Sequence, residues 1–330
     1  MTQPSSRGRK ASAPNQIPIT GWLDVSWRVW GQLADNQVGM LAAGVAFYSL
    51  LSLFPAMAAL ISLWALVFDP HELAEQIGEL APLMPRDAAR LIQERALVIS
   101  SNTDTGLSLT ALVSVLIAMF VASKGVRGLL VGLNIVYGEE EKRSFFLRSL
   151  VVAGLTLGMM LASLAAIGFV ALFPLVIGWF GLEGPLVTLI VWLRWPVLLL
   201  GMMATIGVLY RVGPYRRAPR WEWVSVGTVT ATLLWLLGST GLSLYVSQFA
   251  NMDELYGSLG AVIVLMLWFW LSSFVVLLGA EINAEMERQT RHDTTVGEPR
   301  PMGQRGAYAA DTLGPKHPWR RHSSHSRKTS

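Results

Sequence analysis

The chain has 330 residues, of which 52% are hydrophobic and 15% are charged, and its mean hydropathy is +0.45. A soluble domain carries roughly 25% charged residues, so this composition argues against a soluble globular protein. The net charge is +4, and cysteine is absent, which excludes disulfides, thiolate nucleophiles and cysteine-ligated metals. The composition therefore predicts a chain that crosses a membrane several times.

The first residues, 1–18, are polar and basic and contain no apolar core of a signal peptide. We expect them to be a disordered basic N-terminus. The next stretch, Ile19 to Leu33, places Leu23, Trp27 and Trp30 at helical spacing among polar residues. This pattern is typical of a helix that lies in the membrane interface, and equally of a short helix packed on a bundle.

Six apolar stretches follow, each long enough to cross about 30 Å of hydrocarbon as a helix. They cover approximately residues 38–68, 107–133, 149–180, 186–210, 221–249 and 258–280. Helices are expected because hydrocarbon offers no partner to an unpaired backbone amide, and the strands of a β-barrel would show alternation. The sequence predicts an all-α fold, a polytopic six-helix bundle within residues 19–287.

The distribution of basic residues sets the expected orientation. The connection 69–106 has few basic residues, and the third-to-fourth and fifth-to-sixth connections have none. The N-terminus, the other connections and the C-terminus collect the arginines and lysines, so the positive-inside rule places both termini in the cytoplasm. Within the long outer connection, the spacing between Pro70 and Leu97 predicts two short amphipathic helices.

The last stretch, 288–330, is rich in Gly, Pro, Ser, His and Arg and has almost no large aliphatic residues. Such a composition buries too little surface to fold, so we expect a disordered basic tail. Its charge is explained by anionic lipids of the inner leaflet, without nucleic acid as a partner. The five histidines lie in no metal-binding or catalytic motif, so neither a metal, a cofactor nor an enzymatic activity is expected.

Four sequence blocks, in chain order, resemble the YihY/BrkB family of bacterial inner-membrane proteins. They run from Ala46 to Pro55 (AFYSLLSLFP), from Gly125 to Gly138, from Leu209 to Pro214, and from Tyr256 to Ala284. The resemblance covers about three-quarters of the chain. It implies a six-helix fold in the inner membrane but no settled activity. The family is described as predicted permeases or as uncharacterised, and some of its members are linked to serum resistance and others to envelope lipid export. An old label as a transfer-RNA-processing ribonuclease finds no nuclease motif here.

Charged groups inside hydrocarbon cost a few kcal/mol, so each calls for an explanation. Lys124 and Arg127 lie one helical turn apart in the second apolar stretch, and Asn134 follows two turns later, with glycines between them. Such cations could hold the phosphate of an anionic substrate. Alternatively, the second span ends near Ser123 and both cations lie at the membrane surface.

Other polar residues are candidates for a substrate pathway. Arg194 either contacts an anion in a cavity or, if the fourth span begins near Trp195, anchors the helix at the interface. Tyr48, Ser49 and Ser52 form a polar stripe beside Pro55, whose ring frees a backbone carbonyl. Broken helices of this kind often line cavities, although a kink for packing explains the proline equally well.

Glu281 and Asn283 close the sixth apolar stretch. A carboxylate at this depth is costly unless it is paired. We expect Glu281 to pair with Lys124 or Arg127, and alternatively to bind a proton that is coupled to transport.

Two functions from different classes follow. The first is a permease or lipid-handling protein for an undetermined small-molecule or lipid substrate, anionic or phospholipid-like. The second is a membrane scaffold of the cell envelope that docks a partner through Pro70–Leu97. Membrane lipids are partners in both, and the sequence leaves a homo-oligomer open.

Overall fold

The computed structural model of the chain describes residues 7–67, 106–179, 185–248 and 258–318. These residues are mainly helical, with an isolated antiparallel bridge between Pro219 and Thr295. The two amphipathic helices expected between Pro70 and Leu97 lie outside the described residues.

Seven long helices carry the described part of the fold, and each of α2 to α7 corresponds to one of the six apolar stretches to within a few residues at each end. They are α1 (Ile19–Asp35), α2 (Val38–Val67), α3 (Gly106–Tyr137), α4 (Phe145–Trp179), α5 (Pro185–Val212), α6 (Trp221–Gln248) and α7 (Ser258–Glu287). A 3-10 helix, Pro14–Gln16, precedes α1, and a short α8, Tyr308–Asp311, follows α7.

Five of these helices are long and apolar enough to cross a membrane. The number becomes six if α1 and the first half of α2 count as one broken span. The spans also expose large aliphatic side chains, for example Leu150, Leu157 and Leu161 of α4. Hydrocarbon accepts such a surface and water does not. The prediction of an all-α multi-pass membrane fold is confirmed.

The chain divides into two compact units. The first comprises Met1–Ala42, Gly128–Thr240 and Leu271–Ser330, and the second comprises Ala43–Arg127 and Gly241–Trp270. In the first unit, the absence of a side chain at Gly132 lets Leu277 of α7 pack against the backbone of α3. Close helix packing in hydrocarbon depends on such small residues, because apolar burial gives no driving force there.

The N-terminal segment differs from the expected disorder, because residues 7–18 pack onto the first unit. A hydrophobic cluster joins Ala11, Ile17, Val25 and Val29 to residues of α6 and α7. α1 turns one face to this cluster and exposes apolar residues such as Trp30 on the other. The sequence allowed either a helix in the membrane interface or a helix packed on the bundle, and the buried face of α1 packs on the bundle.

The C-terminal segment also differs from the expected disorder. Residues 288–318 come after α7 and pack within the first unit, where Gln289, Thr290 and Thr294 are fully buried. The Gln289 Nε2 donates a hydrogen bond to the carbonyl of Arg7 at 2.6 Å. The segment is ordered despite its polar composition, because hydrogen bonds between polar groups hold it in place.

Candidate functional site

The end of α7 carries three buried glutamates, Glu281, Glu285 and Glu287, each 1% exposed. Glu285 forms ion pairs with Arg28 of α1 and with Arg288. Buried carboxylates are tolerated when they are paired and hydrogen-bonded. In the sequence these arginines count only among the basic residues that set the expected orientation, because an ion-pair partner distant in the chain leaves no local pattern.

Glu287 is paired with Arg216, which precedes α6. The Arg216 Nη2 and Nη1 atoms donate to the two carboxylate oxygens at 2.6 and 3.1 Å, and the Thr294 hydroxyl donates to the same group at 2.7 Å. The guanidinium also lies over the ring of Tyr137, at 4.8 Å from its centroid. Burial alone would lower the pKa of Arg216, but the Glu287 carboxylate raises it above its ordinary value. This arginine therefore stays charged.

Arg28 connects α1 to both α7 and the C-terminal segment. Its Nη2 donates to the Glu285 carbonyl at 2.8 Å and to the Gln289 amide oxygen at 2.9 Å. Its Nη1 donates to the carbonyl of Pro315 at 3.0 Å. All of these groups belong to the first unit. The charges of Arg28, Glu285 and Arg288 are thus satisfied within the protein, which suits a structural role.

The two predicted asparagines are engaged by backbone groups. Asn134 accepts a hydrogen bond from the Tyr215 N–H at 2.8 Å. Asn283 accepts from the Gly227 N–H at 2.8 Å and donates to the Val224 carbonyl at 3.2 Å. These contacts join α3 to the loop after α5, and α7 to α6. The Asn134 Nδ2 also donates to the Glu141 carboxylate at 3.2 Å, so the polar atoms of both amides are used in contacts within the fold.

Glu281 has a different partner from the one expected. Its Oε2 accepts a hydrogen bond from the Asn36 Nδ2 at 3.0 Å. Asn36 directly follows α1 and lies in the first unit with Glu281. The carboxylate is therefore held by a neutral amide, whereas we expected a cation.

In the second unit, α2 and α3 approach closely at Gly125. A side chain added at Gly125 would lie 3.7 Å from the Ser49 Oγ and 3.7 Å from the Tyr48 Cβ. Gly125 stands between Lys124 and Arg127 in the sequence. The structure therefore brings the polar stripe of α2 next to the segment of α3 that carries both cations.

The two cations of this segment have few partners. The Lys124 ammonium lies 4.7 Å from the centroid of the Phe120 ring, on the preceding turn. The Arg127 Nε is buried and has no hydrogen-bond partner among the residues that the structure describes. A guanidinium nitrogen without a partner is unusual, because buried polar groups are nearly always hydrogen-bonded.

The other predicted residues of α2 lie along the same helix. The Ser52 Oγ donates to the Ser49 carbonyl at 2.8 Å, and the Ser49 Oγ donates to the Val45 carbonyl at 2.9 Å. Pro55 lies inside α2, and Tyr48 is 39% exposed. Both hydroxyl protons are used within the helix, which leaves oxygen lone pairs for other donors.

Arg194 lies on α5 in the first unit, away in the sequence from the other cations. Its guanidinium stacks at 5.2 Å on the ring of Trp195, and its Nε is buried without a hydrogen-bond partner in the described part of the chain. Stacking on tryptophan is common where a helix meets the interface, and it also leaves the donor edge free.

The family model described as virulence factor BrkB matches residues 29–303. This chain belongs to the BrkB family. The match includes the α2 stripe, the cations of α3 and the glutamates of α7, and it ends within the segment that follows α7. The family resemblance drawn from the four sequence blocks is confirmed.

Two relatives share most of the chain. The ribonuclease-like protein YfkH of Bacillus subtilis is 33% identical over 262 residues, which cover 76% of this chain and 90% of the Bacillus protein. A UPF0761 membrane protein of Cronobacter sakazakii is 27% identical over 278 residues, or 82% of this chain and 89% of that protein. No solved structure matches this chain. The relatives support a membrane protein of the BrkB family.

Proposed function

We propose that this member of the BrkB family is a permease or lipid-handling protein of the bacterial inner membrane, with both termini in the cytoplasm. The substrate is an anionic, phospholipid-like solute. The observation that carries the proposal is Arg127, whose buried Nε lacks a partner among the described residues, one turn from Lys124 and beside Gly125. The proposal includes no catalytic step, cofactor, metal or nucleic acid.

Arg127 differs from the buried arginines of the first unit. Arg28 and Arg216 are buried and already neutralised by Glu285 and Glu287. A cation in a membrane protein without such a carboxylate gains most from an anion that arrives from outside the protein. A guanidinium binds a phosphate through two parallel hydrogen bonds, which makes phosphate the best-fitting anion.

The neighbourhood of Arg127 also suits a headgroup. Gly125 keeps the space between α2 and α3 free of a side chain, and the half-exposed Tyr48 offers a hydroxyl. Lys124 adds a second positive charge on the preceding turn. Small residues and two cations at helical spacing allow a phosphate to approach the backbone closely.

The proposal is tested with the full-length protein in liposomes that contain labelled phospholipids and small anions. Wild type is compared with Arg127→Gln and with Arg211→Gln, a control that removes an arginine stacked at 4.6 Å on Trp221 of α6. We expect Arg127→Gln to reduce lipid exchange or anion flux by about tenfold or more, because the variant loses one charge-assisted hydrogen bond to the substrate. Arg211→Gln should keep the wild-type rate.

Two outcomes would contradict the proposal. The first is equal rates in wild type and Arg127→Gln. The second is no movement above protein-free liposomes for any lipid or anion, with a proton gradient imposed. The second outcome would favour the scaffold, and pull-down of envelope proteins through residues 70–97 would then be the next experiment.

A further inference from the structure

Glu281 is the exception among the three buried glutamates of α7. Glu285 and Glu287 are each paired with arginine, whereas Glu281 forms no ion pair within the part of the chain that the structure describes. Its hydrogen-bond partner is the neutral amide of Asn36, at 3.0 Å. A buried carboxylate that lacks a cation is stabilised by taking up a proton, because burial penalises the charged form.

The partner of Glu281 lies at a backbone joint. Asn36 is the C-cap of α1, and Gln37, with φ of +50°, is the residue before α2. A residue other than glycine rarely adopts this left-handed conformation unless its surroundings hold it there. The hydrogen bond from Asn36 to Glu281 is one of the contacts that hold this joint against α7.

The charged and titratable groups around Glu281 come from three helices of the first unit. On α7 and just beyond it, the Glu285 carboxylate repels the negative charge of Glu281 and Arg288 attracts it. On α1, Arg28 is engaged by Glu285 and does not pair with Glu281. On α3, the buried phenol of Tyr137 interacts electrostatically with Glu281. Asn36 is thus the group that favours the charged form by direct hydrogen bonding.

We propose that Glu281 is a proton-binding site that controls the joint between α1 and α2. In the charged form, the carboxylate holds the Asn36 amide through a charge-assisted hydrogen bond. When a proton from the aqueous phase binds to a carboxylate oxygen, the acceptor loses its charge and this hydrogen bond weakens by roughly half. Asn36 is then released, and the backbone at Gln37 is free to leave its left-handed conformation.

The proton site and its effect on the joint stand on this geometry alone. The use of the proton to drive a solute across the membrane would rest on the transport function proposed above. The experiment therefore reads the joint directly, in the absence of any substrate, so that failure of transport and failure of the proton site are distinguishable.

The chain contains no cysteine, so one engineered cysteine can be labelled without background. Met40 is 73% exposed and lies three residues after Gln37, which makes Met40→Cys a suitable position for an environment-sensitive fluorophore. The labelled full-length protein, in lipid nanodiscs, is titrated from about pH 5 to about pH 9, the range in which buried carboxyl groups change protonation state. We expect a single sigmoidal change of the label signal.

Three further variants, each combined with Met40→Cys, decide the outcome. Glu281→Gln resembles the protonated carboxyl, so its signal should stay at the acid value at every pH. Asn36→Ala removes the amide that is released, so it should give the same constant acid value. Asp35→Asn removes an exposed carboxylate beside the joint, and it should keep the wild-type titration.

A flat signal in the Met40→Cys protein would overturn the proposal, and so would a titration that persists in Glu281→Gln. If Glu281→Gln does not fold, as judged by size-exclusion chromatography, Asn36→Ala decides alone. A wild-type titration in Asn36→Ala would show that the proton acts elsewhere.

Discussion

Arg216 and Glu287 form a bidentate ion pair whose side chains are 0% and 1% exposed. The pair fixes the loop before α6 to the last residue of α7, and Thr294 adds a hydrogen bond from the C-terminal segment. Moving two charges out of water is costly, and the pair offsets this cost only while both partners are present. Removal of one member of this ion pair should therefore destabilise the fold more than removal of both members.

The first prediction concerns this pair. Arg216→Met should lower the free energy of unfolding by about 3–5 kcal/mol, because it leaves the Glu287 carboxylate buried without a cation. The double variant Arg216→Met with Glu287→Met should recover much of the loss. The measurement is unfolding of the purified protein by denaturant in detergent micelles.

The matched control is the exposed pair Lys142–Glu140, whose side chains are 68% and 86% exposed at 3.6 Å. Lys142→Met should change the free energy of unfolding by no more than about 1 kcal/mol. A similar small change for Arg216→Met would show that the buried pair contributes little.

The second prediction concerns the segment after α7. A chain that ends at Glu287 should accumulate poorly and unfold at a lower temperature than the full chain. The deletion removes the Gln289 contacts with Arg28 and Arg7, and the Thr290 hydroxyl that donates to the Ala11 carbonyl at 2.5 Å. Each lost hydrogen bond to a buried group costs about 1–3 kcal/mol.

Deletion of residues 319–330 alone is the control, since it keeps every contact described for the segment. The two shortened chains are compared with the full chain by thermal unfolding after purification. If the chain that ends at Glu287 were as stable as the full chain, the segment after α7 would not contribute to the stability of the fold.

The helices could be predicted from sequence because hydrocarbon imposes a simple rule. Every span must bond its own backbone, so about 20 apolar residues in a row predict a helix. The apolar stretch 221–249 corresponds to α6, Trp221–Gln248, almost residue for residue. The terminal segments could not be predicted in this way, because Arg9 and Gln289 are held by specific hydrogen bonds between distant parts of the chain.

The candidate site could be predicted in part. The stripe of Tyr48 and Ser49 and the cations beside Gly125 were separate sequence patterns, and the structure shows the stripe packed at Gly125. The partner of Glu281 could not be foreseen. Asn36 carries no periodic or compositional signal, and its contact with Glu281 spans 245 positions.

The third prediction concerns the contact of α6 with α7. A Cβ at Gly227 would lie 2.5 Å from the Asn283 side chain, so Gly227→Ala forces the two helices apart. We expect a loss of about 1–3 kcal/mol in the free energy of unfolding, together with disruption of the Asn283 hydrogen bonds. Gly158→Ala on α4 is the matched control, because a Cβ there would meet nothing within 4 Å. Equal effects of the two changes would contradict close packing at Gly227.

The last prediction concerns pH. Burial raises the pKa of Glu139 above its ordinary value, although the Tyr308 N–H, which donates to the Glu139 carboxylate at 2.8 Å, lowers it in part. A raised folded-state pKa means that this group favours folding while it is protonated, and that its contribution is lost as the pH rises through the folded-state pKa. At neutral pH the ionised Glu139 therefore opposes folding.

Glu139→Gln should unfold at a higher temperature than wild type at about pH 7.5, and the difference should disappear at about pH 3, where the carboxyl is neutral in both states. The measurement is thermal unfolding at both pH values. Glu140→Gln, at an exposed neighbour, makes the same change in net charge and serves as the control. If Glu139→Gln were less stable than wild type at neutral pH, the charged form of Glu139 would be the one that the fold requires, and its contact with Tyr308 would outweigh the cost of burial.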